Sequence, residues 1–539
     1  MFDVILFTDT AEFGSKTRGY GCHRLATHIR GHGYTCLVID FSSAIEFEDY
    51  KSILECAVGS NTLMVGFSTN WFPYKLIDEQ PQIVDPGRTF KDDDLKLFNH
   101  KTLNSLTNAF AYNQLLPWVE EIKKHNENTK IVLGGTKVDM YMSQPLVDHI
   151  IIGYSETMVI DLLDSLSKKT RRLFGKIIDH DQKAQAPVWD FRLSKTQYTP
   201  LDFILPHEAL ALEIGRGCRF KCAYCSYPMI GQRNTVDYLK HENVLREELL
   251  ENYENWGTTQ YYIIDDTFND SREKLDMLKR VLDSLPFKIK FWCYIRIDLL
   301  ATHPEHIPLL LELGLVQCYI GLETFHSKAS KAIGKGMSGE KRKETLKKCK
   351  DVWGDNVHIQ AGFMIGLPHE PSSSIAETSA YLKSPESCVD EPWMFPLSIA
   401  GRHEKTKYMY KSDMDANYEK YGYYFKDPNR FWAWSKDDDT DIPNVEMADI
   451  IASRYDPHEF RRPWKGDWYR SCLNHPILRD RDRTLAMSDK EYRDLIESID
   501  LFKLYRETVI EEYITPLIKK LKSKARTSRV INRHNRPKK

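Results

Sequence analysis

No stretch of this chain approaches the roughly 20 consecutive apolar residues that cross a bilayer. The N-terminus, MFDVILFTDTAEF, has neither the basic n-region nor the small-residue cleavage site of a secretory signal. Both absences lead us to expect a cytoplasmic protein with no membrane partner. Charge of one sign is missing too: the formal net charge is −2 over 539 residues, so bulk electrostatics points to no nucleic-acid, membrane or acidic partner. Disulfides are equally unexpected. Eleven cysteines is an odd number in a chain without a secretory signal, which favours reduced thiols or metal ligands. Cys36, Cys56 and Cys349 read as small buried hydrophobes.

What is present is a long chain, beyond the size of a single core, written in two series of βα repeats. Over 1–166, short apolar runs (DVILFTDT, TCLVID, TLMVGFST, KIVLGG, HIIIGY) alternate with amphipathic stretches. That grammar predicts a doubly wound, flavodoxin- or Rossmann-like parallel sheet, with ligands beyond the carboxyl ends of its strands. Those ends carry Ser68, Thr69 and Asn70, then Gly134 and Gly135, then Gly153 and Glu156. Residues 74–110 read as an insertion and 167–205 as a linker or strap.

The second series, 206–401, has six apolar runs: ALALEIGR, QYYIIDD, KIKFWCYIR, VQCYIGLE, VHIQAGFMIGLP and WMFPLSIA. Six strands with intervening helices predict a partial (βα)6 TIM-type barrel with its chemistry at the carboxyl ends of the strands. Asp265, Asp266, Arg296, Glu323, Gly362 and Gly366 fall at those tips. A mainly helical C-terminal region follows over 402–518, with helical periodicity returning after Ser488. The tail 519–539 holds ten Lys or Arg and no acid, and reads as a disordered solubilising segment or as a contact to a nucleic-acid backbone.

Residues 216–225, RGCRFKCAYC, concentrate three thiols, Cys218, Cys222 and Cys225, with Arg216, Arg219 and Lys221. A zinc site would need a distant fourth ligand. A 4Fe–4S cluster on three cysteines would keep one iron open, and the nearby cations would favour thiolates and a net-negative cluster.

The loop GRGCRFKCAYC resembles the C-x3-C-x-aromatic-C signature of the radical S-adenosylmethionine (SAM) superfamily, with Tyr224 as the aromatic. DDTF at 265–268, FWCYIRIDLL at 291–300, YIGLET at 319–324 and GFMIGLPHE at 362–370 are similar in order and spacing to later strands of that superfamily's barrel. The resemblance implies a 4Fe–4S cluster on Cys218, Cys222 and Cys225, with SAM on the open iron cleaved reductively to a 5′-deoxyadenosyl radical. It further implies that Tyr224, Gly362, Ile365 and Gly366 lie near the adenine and that Glu323 accepts from the ribose hydroxyls. Arg296 would pair with the SAM carboxylate through a bidentate fork. Asp265 and Asp266 would face the SAM amine or the substrate, and Lys335 would reach the site from the following loop.

A doubly wound domain ahead of this barrel is similar to the cobalamin-binding class of the superfamily. VGFSTN, VLGG and IIIGYSE match the strand ends of that class, which makes Ser68, Thr69, Asn70, Gly134, Gly135, Gly153 and Glu156 candidate cobalamin contacts. The chain departs from the pattern in having no D-x-H-x-x-G, so no histidine stands where one would ligate cobalt. The expected activity is a cobalamin-dependent methyltransferase acting at an unactivated carbon, served by an external one-electron reductant such as flavodoxin or ferredoxin. The alternatives are an isomerase, cyclase or other C–H functionalising enzyme without cobalamin, a methylthiotransferase with a second cluster on Cys22, Cys36 and Cys56, and a non-enzymatic iron–sulfur redox sensor or nucleic-acid-binding module.

Overall fold

Six short apolar runs pair in parallel at the amino end of the chain: β1 (Val4–Phe7), β2 (Cys36–Ile39), β3 (Met64–Ser68), β4 (Lys130–Gly134), β5 (His149–Ile152) and β6 (Ile177–Asp179). The computed structural model describes residues 1–9, 18–69, 115–135, 145–179, 189–205, 208–225, 238–397, 399, 412–424, 434–435, 440–457, 461–462 and 475–534. Asn70 and the expected insertion 74–110 lie outside these residues. The strand order is β2-β1-β3-β4-β5-β6, so the chain reverses direction across the sheet between β1 and β3. Ligands of doubly wound sheets sit at such a switch point.

Both faces of this sheet are covered, which is why its strands read as continuous apolar runs. Ile5, Phe7, Leu37, Ile39, Val65 and Phe67 form one face, packed against the helix Phe47–Ala57 and Trp118. Their strand neighbours Val4, Leu6, Cys36, Val38 and Met64 form the other, against the helices Tyr20–Gly31 and Glu156–Leu166. The edge strand β6 falls inside the expected linker. Its three residues pair with β5 through Ile150↔Ile177 and Ile151↔Ile178, a run too short to show a period in sequence.

The second sheet has β7 (Leu210–Leu212), β8 (Gln260–Ile263), β9 (Lys290–Ile295), β10 (Leu315–Glu323), β11 (His358–Ile365) and β12 (Glu391–Pro396). They lie in consecutive parallel order from β7 to β12, the expected partial barrel. Alternate residues such as Phe291, Cys293, Ile320, Ile359 and Phe363 pack outward against the surrounding helices.

The C-terminal region divides between the two sheets. The helix Val445–Tyr455 buries Ala448, Ile451 and Ala452 against the barrel. The last helices cross back to the first sheet, where Tyr505, Val509, Tyr513, Leu517 and Leu521 enter its core. The helix Thr515–His534 runs through the expected start of the basic tail, because Leu517 and Leu521 are four apart and share one face. No described helix is long and apolar enough to cross a membrane.

One buried polar cluster ties these parts together. Arg18 donates to Glu208 at 2.6 Å, Asp40 at 3.0 Å, and the carbonyls of Asp202 and Phe203 at 2.6 and 2.8 Å. His23 pairs with Asp40 at 2.8 Å, and the Tyr513 hydroxyl accepts from the Asp40 amide at 3.0 Å. The first sheet, the strap and the C-terminal helices therefore share one set of charges. Arg18→Met strands Glu208 without its cation and leaves Asp40 to His23 alone, and should lower the unfolding free energy by about 3–5 kcal/mol, read as a fall in the urea midpoint. An unchanged midpoint would contradict this role.

Candidate active site

The three-cysteine loop leaves the end of β7 already fixed by β8. Asp265 accepts the amides of Ile214 at 2.8 Å and Gly215 at 2.9 Å, and pairs with Lys274 at 2.8 Å. A Cβ at Gly215 would stand 3.0 Å from Lys274 Cε and 3.2 Å from its ammonium, so a larger residue would press on the latch. Gly217 then turns the chain with φ +99°. Cys218 and Cys222 are buried and Cys225 half-buried, and none is in a disulfide. Cys218 Sγ lies 3.4 Å from Thr267 Oγ1, and Cys222 Sγ accepts from Arg296 Nη1 at 3.1 Å.

The cations are arranged differently from the sequence expectation. Arg216 pairs with carboxylates, Arg219 donates to the Asp270 carbonyl at 3.2 Å, and Lys221 is exposed. The positive charge on a thiol comes from Arg296. Its remaining donors fork onto Asp298 at 3.0 and 2.7 Å, so the fork expected for a SAM carboxylate is occupied within the chain. The guanidinium also stacks over Phe220, 3.8 Å from the ring centre.

At the end of β10 a register shift between Gly321 and Glu323 places Glu323 at φ +65°, a region that costs a non-glycine residue of order 1–3 kcal/mol. Neighbours hold it there. The Tyr224 hydroxyl donates to Glu323 Oε1 at 2.6 Å, and Lys335 stands 3.4 Å from the same oxygen while donating to the Gly321 carbonyl at 3.0 Å. Thr324 donates to Glu370, and Arg342 to the Thr324 carbonyl. Tyr224, Glu323 and Lys335 thus meet beside the cysteine loop.

On β11, Gly362 gives space to Tyr319: a Cβ would fall 1.9 Å from its hydroxyl. Gly366, at φ +94°, accepts the Tyr423 hydroxyl at 2.5 Å. Ile365, expected near the adenine, is 2% exposed in the core under the outer helices. Strand parity is the reason, since 359, 361, 363 and 365 share the outer face. Met364 packs with Tyr224 and Ala223 instead, and the same parity would have found it from sequence.

Asp266, one residue beyond the latch, is half-buried and has no hydrogen bond or ion pair among the described residues. Burial, then Asp265 and Glu213, push its carboxyl up to about 6. A cavity of about 880 Å³ lies at the opposite, amino ends of the strands, lined by Gln260, Lys290, Val316 and His358, away from the thiols.

The first sheet presents its carboxyl edge in the same neighbourhood. Thr69 donates its amide to the Gly134 carbonyl at 2.7 Å, Ser68 pairs in register with Gly134, and Gly135 and Gly153 turn with φ +114° and +88°. Ser68, Thr69, Gly134, Gly135 and Gly153 therefore share one edge. Cys22, which sequence reasoning passed over as a ligand-edge residue, is buried near this edge, and burial, then Asp40, push its thiol up to about 12.

Glu156 does not stand open at that edge. Its carboxylate accepts from Arg216 Nη1 at 3.0 Å, while Arg216 forks onto Glu213 at 2.7 and 3.1 Å and Arg24 pairs with Glu213 at 2.5 Å. Burial alone would raise Glu213, but Arg216 and then Arg24 hold it down at about 2. Tyr154 and Trp189 stack on Arg216 at 4.4 and 4.6 Å.

Cys22, Cys36 and Cys56 do not gather. Cys22 and Cys36 lie on one face of the first sheet and Cys56 on the other, so they form no second cluster site. Among the described residues, only His303, Glu305 and His306 bring three ligand atoms within 4.8 Å of one another.

Glu370, which braces the Glu323 turn, gives a pH test. Burial raises its carboxyl from 4.5 to about 8, against the hydrogen bonds from Thr324 and Ser374. Between those values the folded state holds a proton that the unfolded chain has released, so stability falls as pH rises from 4.5 towards 8. Glu370→Gln should flatten this slope in denaturation curves; a slope unchanged in the variant would assign it elsewhere.

Residues 212–382 match the profile of the Radical SAM superfamily. A search of curated proteins finds no match. Among solved structures, the chain is similar to the radical S-adenosylmethionine methyltransferase TsrM from Kitasatospora setae, with tryptophan substrate and a SAM analogue bound, at 14% identity and TM-score 0.50, covering 74% of each chain. It is similar to the same enzyme with cobalamin and a 4Fe–4S cluster bound, at 15% identity and TM-score 0.50, covering 74% of this chain and 76% of that one. Identities this low establish a shared fold and nothing finer. With its three-cysteine loop at the mouth of six consecutive parallel strands, the barrel of this chain is a radical SAM domain.

Proposed function

We propose that the protein is a cobalamin-dependent radical SAM methyltransferase acting at an unactivated carbon, with a 4Fe–4S cluster on Cys218, Cys222 and Cys225. The observation that carries the reading is the placement of three unbridged cysteines, one already paired with a guanidinium, beside the carboxyl edge of a doubly wound sheet. The donor set fits: three thiolates leave one iron open for SAM, whereas a structural zinc would need a fourth ligand. The fold shared with a cobalamin- and cluster-binding methyltransferase supports the same reading.

When bound, the cluster supplies the electron that cleaves the SAM sulfonium, and cobalamin carries the methyl group. The rest is done by side chains. Arg296 offsets the negative charge of the Cys222 thiolate at 3.1 Å. Glu323 accepts the ribose hydroxyls, in place of Tyr224, through a carboxylate already set at the mouth. Tyr224 and Met364 form an apolar wall for the adenine. Asp265 holds the loop, which leaves Asp266 as the carboxyl that faces substrate and holds or accepts a proton near pH 6. Ser68, Thr69, Gly134, Gly135 and Gly153 form the edge that receives the corrin. The electron comes from an external reductant such as flavodoxin or ferredoxin.

The absence of D-x-H-x-x-G favours a second reading, C–H functionalisation without corrinoid. Product stoichiometry separates the two. Methyl transfer gives S-adenosylhomocysteine alongside 5′-deoxyadenosine, whereas the second reading gives 5′-deoxyadenosine without a homocysteine product. Cys222→Ala should lose the cluster and all SAM cleavage, and retained iron with activity would remove the site. Glu323→Ala should keep its iron and weaken SAM binding by about tenfold, the loss of a charged hydrogen bond; unchanged affinity would refute the ribose contact.

A further inference from the structure

Arg216 stands two residues before Cys218, yet its side chain points away from the thiols and into the first domain. It forks onto Glu213, at the exit of β7, and reaches Glu156, the first residue of a helix on the first sheet. Arg24, on the neighbouring helix of the same face, pairs with Glu213 and extends this to a row of two arginines and two carboxylates. All four side chains are buried, at 12% exposure or less. The strap covers them with Trp189 and Phe191, whose rings lie 4.6 and 5.2 Å from the Arg216 guanidinium. The Arg216 backbone is fixed as well, its amide donating to the Tyr238 carbonyl at 2.9 Å.

We infer that Arg216 is a positioning residue that makes the cysteine loop depend on the docking of the first domain. This rests on the radical SAM reading of that loop. A buried guanidinium cannot move while its carboxylates stay in place, because leaving either one strands a charge out of water. Glu156 belongs to the first domain and Glu213 to the barrel, so a shift of one domain against the other pulls on Arg216. Only Gly217 separates it from Cys218. The domain that lines the corrin edge with Gly153 therefore also sets where the first cluster ligand stands. Arg216 grips Glu213 with two donors of its planar fork while a third reaches Glu156, a fixed geometry that the single nitrogen of a lysine does not reproduce.

The test uses the full chain, reconstituted anaerobically with iron and sulfide. Iron content, thermal midpoint, the electron paramagnetic resonance of the reduced cluster and the SAM dissociation constant are compared across Glu156→Gln, Arg216→Gln and Arg216→Lys. Glu156→Gln is near-isosteric and leaves the Arg216–Glu213 pair intact. It should keep wild-type iron, change the resonance and weaken SAM binding by about tenfold, within the range of coupled positions. Arg216→Gln should do the same or more, with Arg216→Lys between. A folded Glu156→Gln protein with wild-type resonance and SAM affinity would overturn the inference and leave these four charges as a simple tie between domains. If Arg216→Gln fails to fold, Glu156→Gln still decides. A wild-type chain that takes up no iron would instead remove the reading on which the inference rests.

Discussion

Charges removed from water must be paired, and in this protein the pairing is shared between parts that are far apart in the chain. Arg24 and Glu156 come from the first domain, Glu213 and Arg216 from the barrel. The second cluster, around Arg18, joins Asp40, Glu208 and Asp202, with Tyr513 hydrogen-bonded to the Asp40 amide. Neither set can be satisfied by one domain alone. The cost of separating them is the cost of stranding buried ions, which exceeds what the modest polar contacts of a mobile domain pair would impose. The carboxyl edges of the two sheets therefore sit close to each other as a consequence of charge, before any ligand is considered.

Within that frame the barrel mouth is held by a few local devices. The Asp265 carboxylate pins the start of the cysteine loop by two amides. Glu323 is kept in a left-handed conformation by Tyr224, Lys335 and the Thr324–Glu370 pair. Strain of this kind persists where surrounding contacts over-determine it, and such places are characteristically functional. Here they surround the three thiols on two sides.

The first sheet was legible because it is buried on both faces and its strands stand out as unbroken apolar runs, whereas the barrel strands bury their outer face and leave inner residues such as Tyr294 and Phe395 partly open, so buried and open positions alternate along them. β6 was hidden by its length and its place in a polar strap. The cysteine loop was legible from spacing alone, but its electrostatics were not: Arg216 precedes the thiols in sequence and turns from them in space, while Arg296, some 70 residues on, supplies the contact at Cys222. Ile365 and Met364 differ by one position, and strand parity assigns them to opposite faces. Glu156 stands at the start of the helix that follows β5, and only the three-dimensional pairing reveals that Arg216 occupies it. The final helices carried no motif, because Leu517 and Leu521 stand among lysines whose charge masks the apolar face.

The central claim is that one chain holds a cluster on three cysteines next to a corrinoid on the first domain. The most direct measurement is anaerobic reconstitution with iron, sulfide and hydroxocobalamin, followed by desalting, metal analysis and the absorption spectrum of what is retained. The account predicts about four irons per chain together with bound corrinoid. A chain that retains neither would contradict it at its foundation.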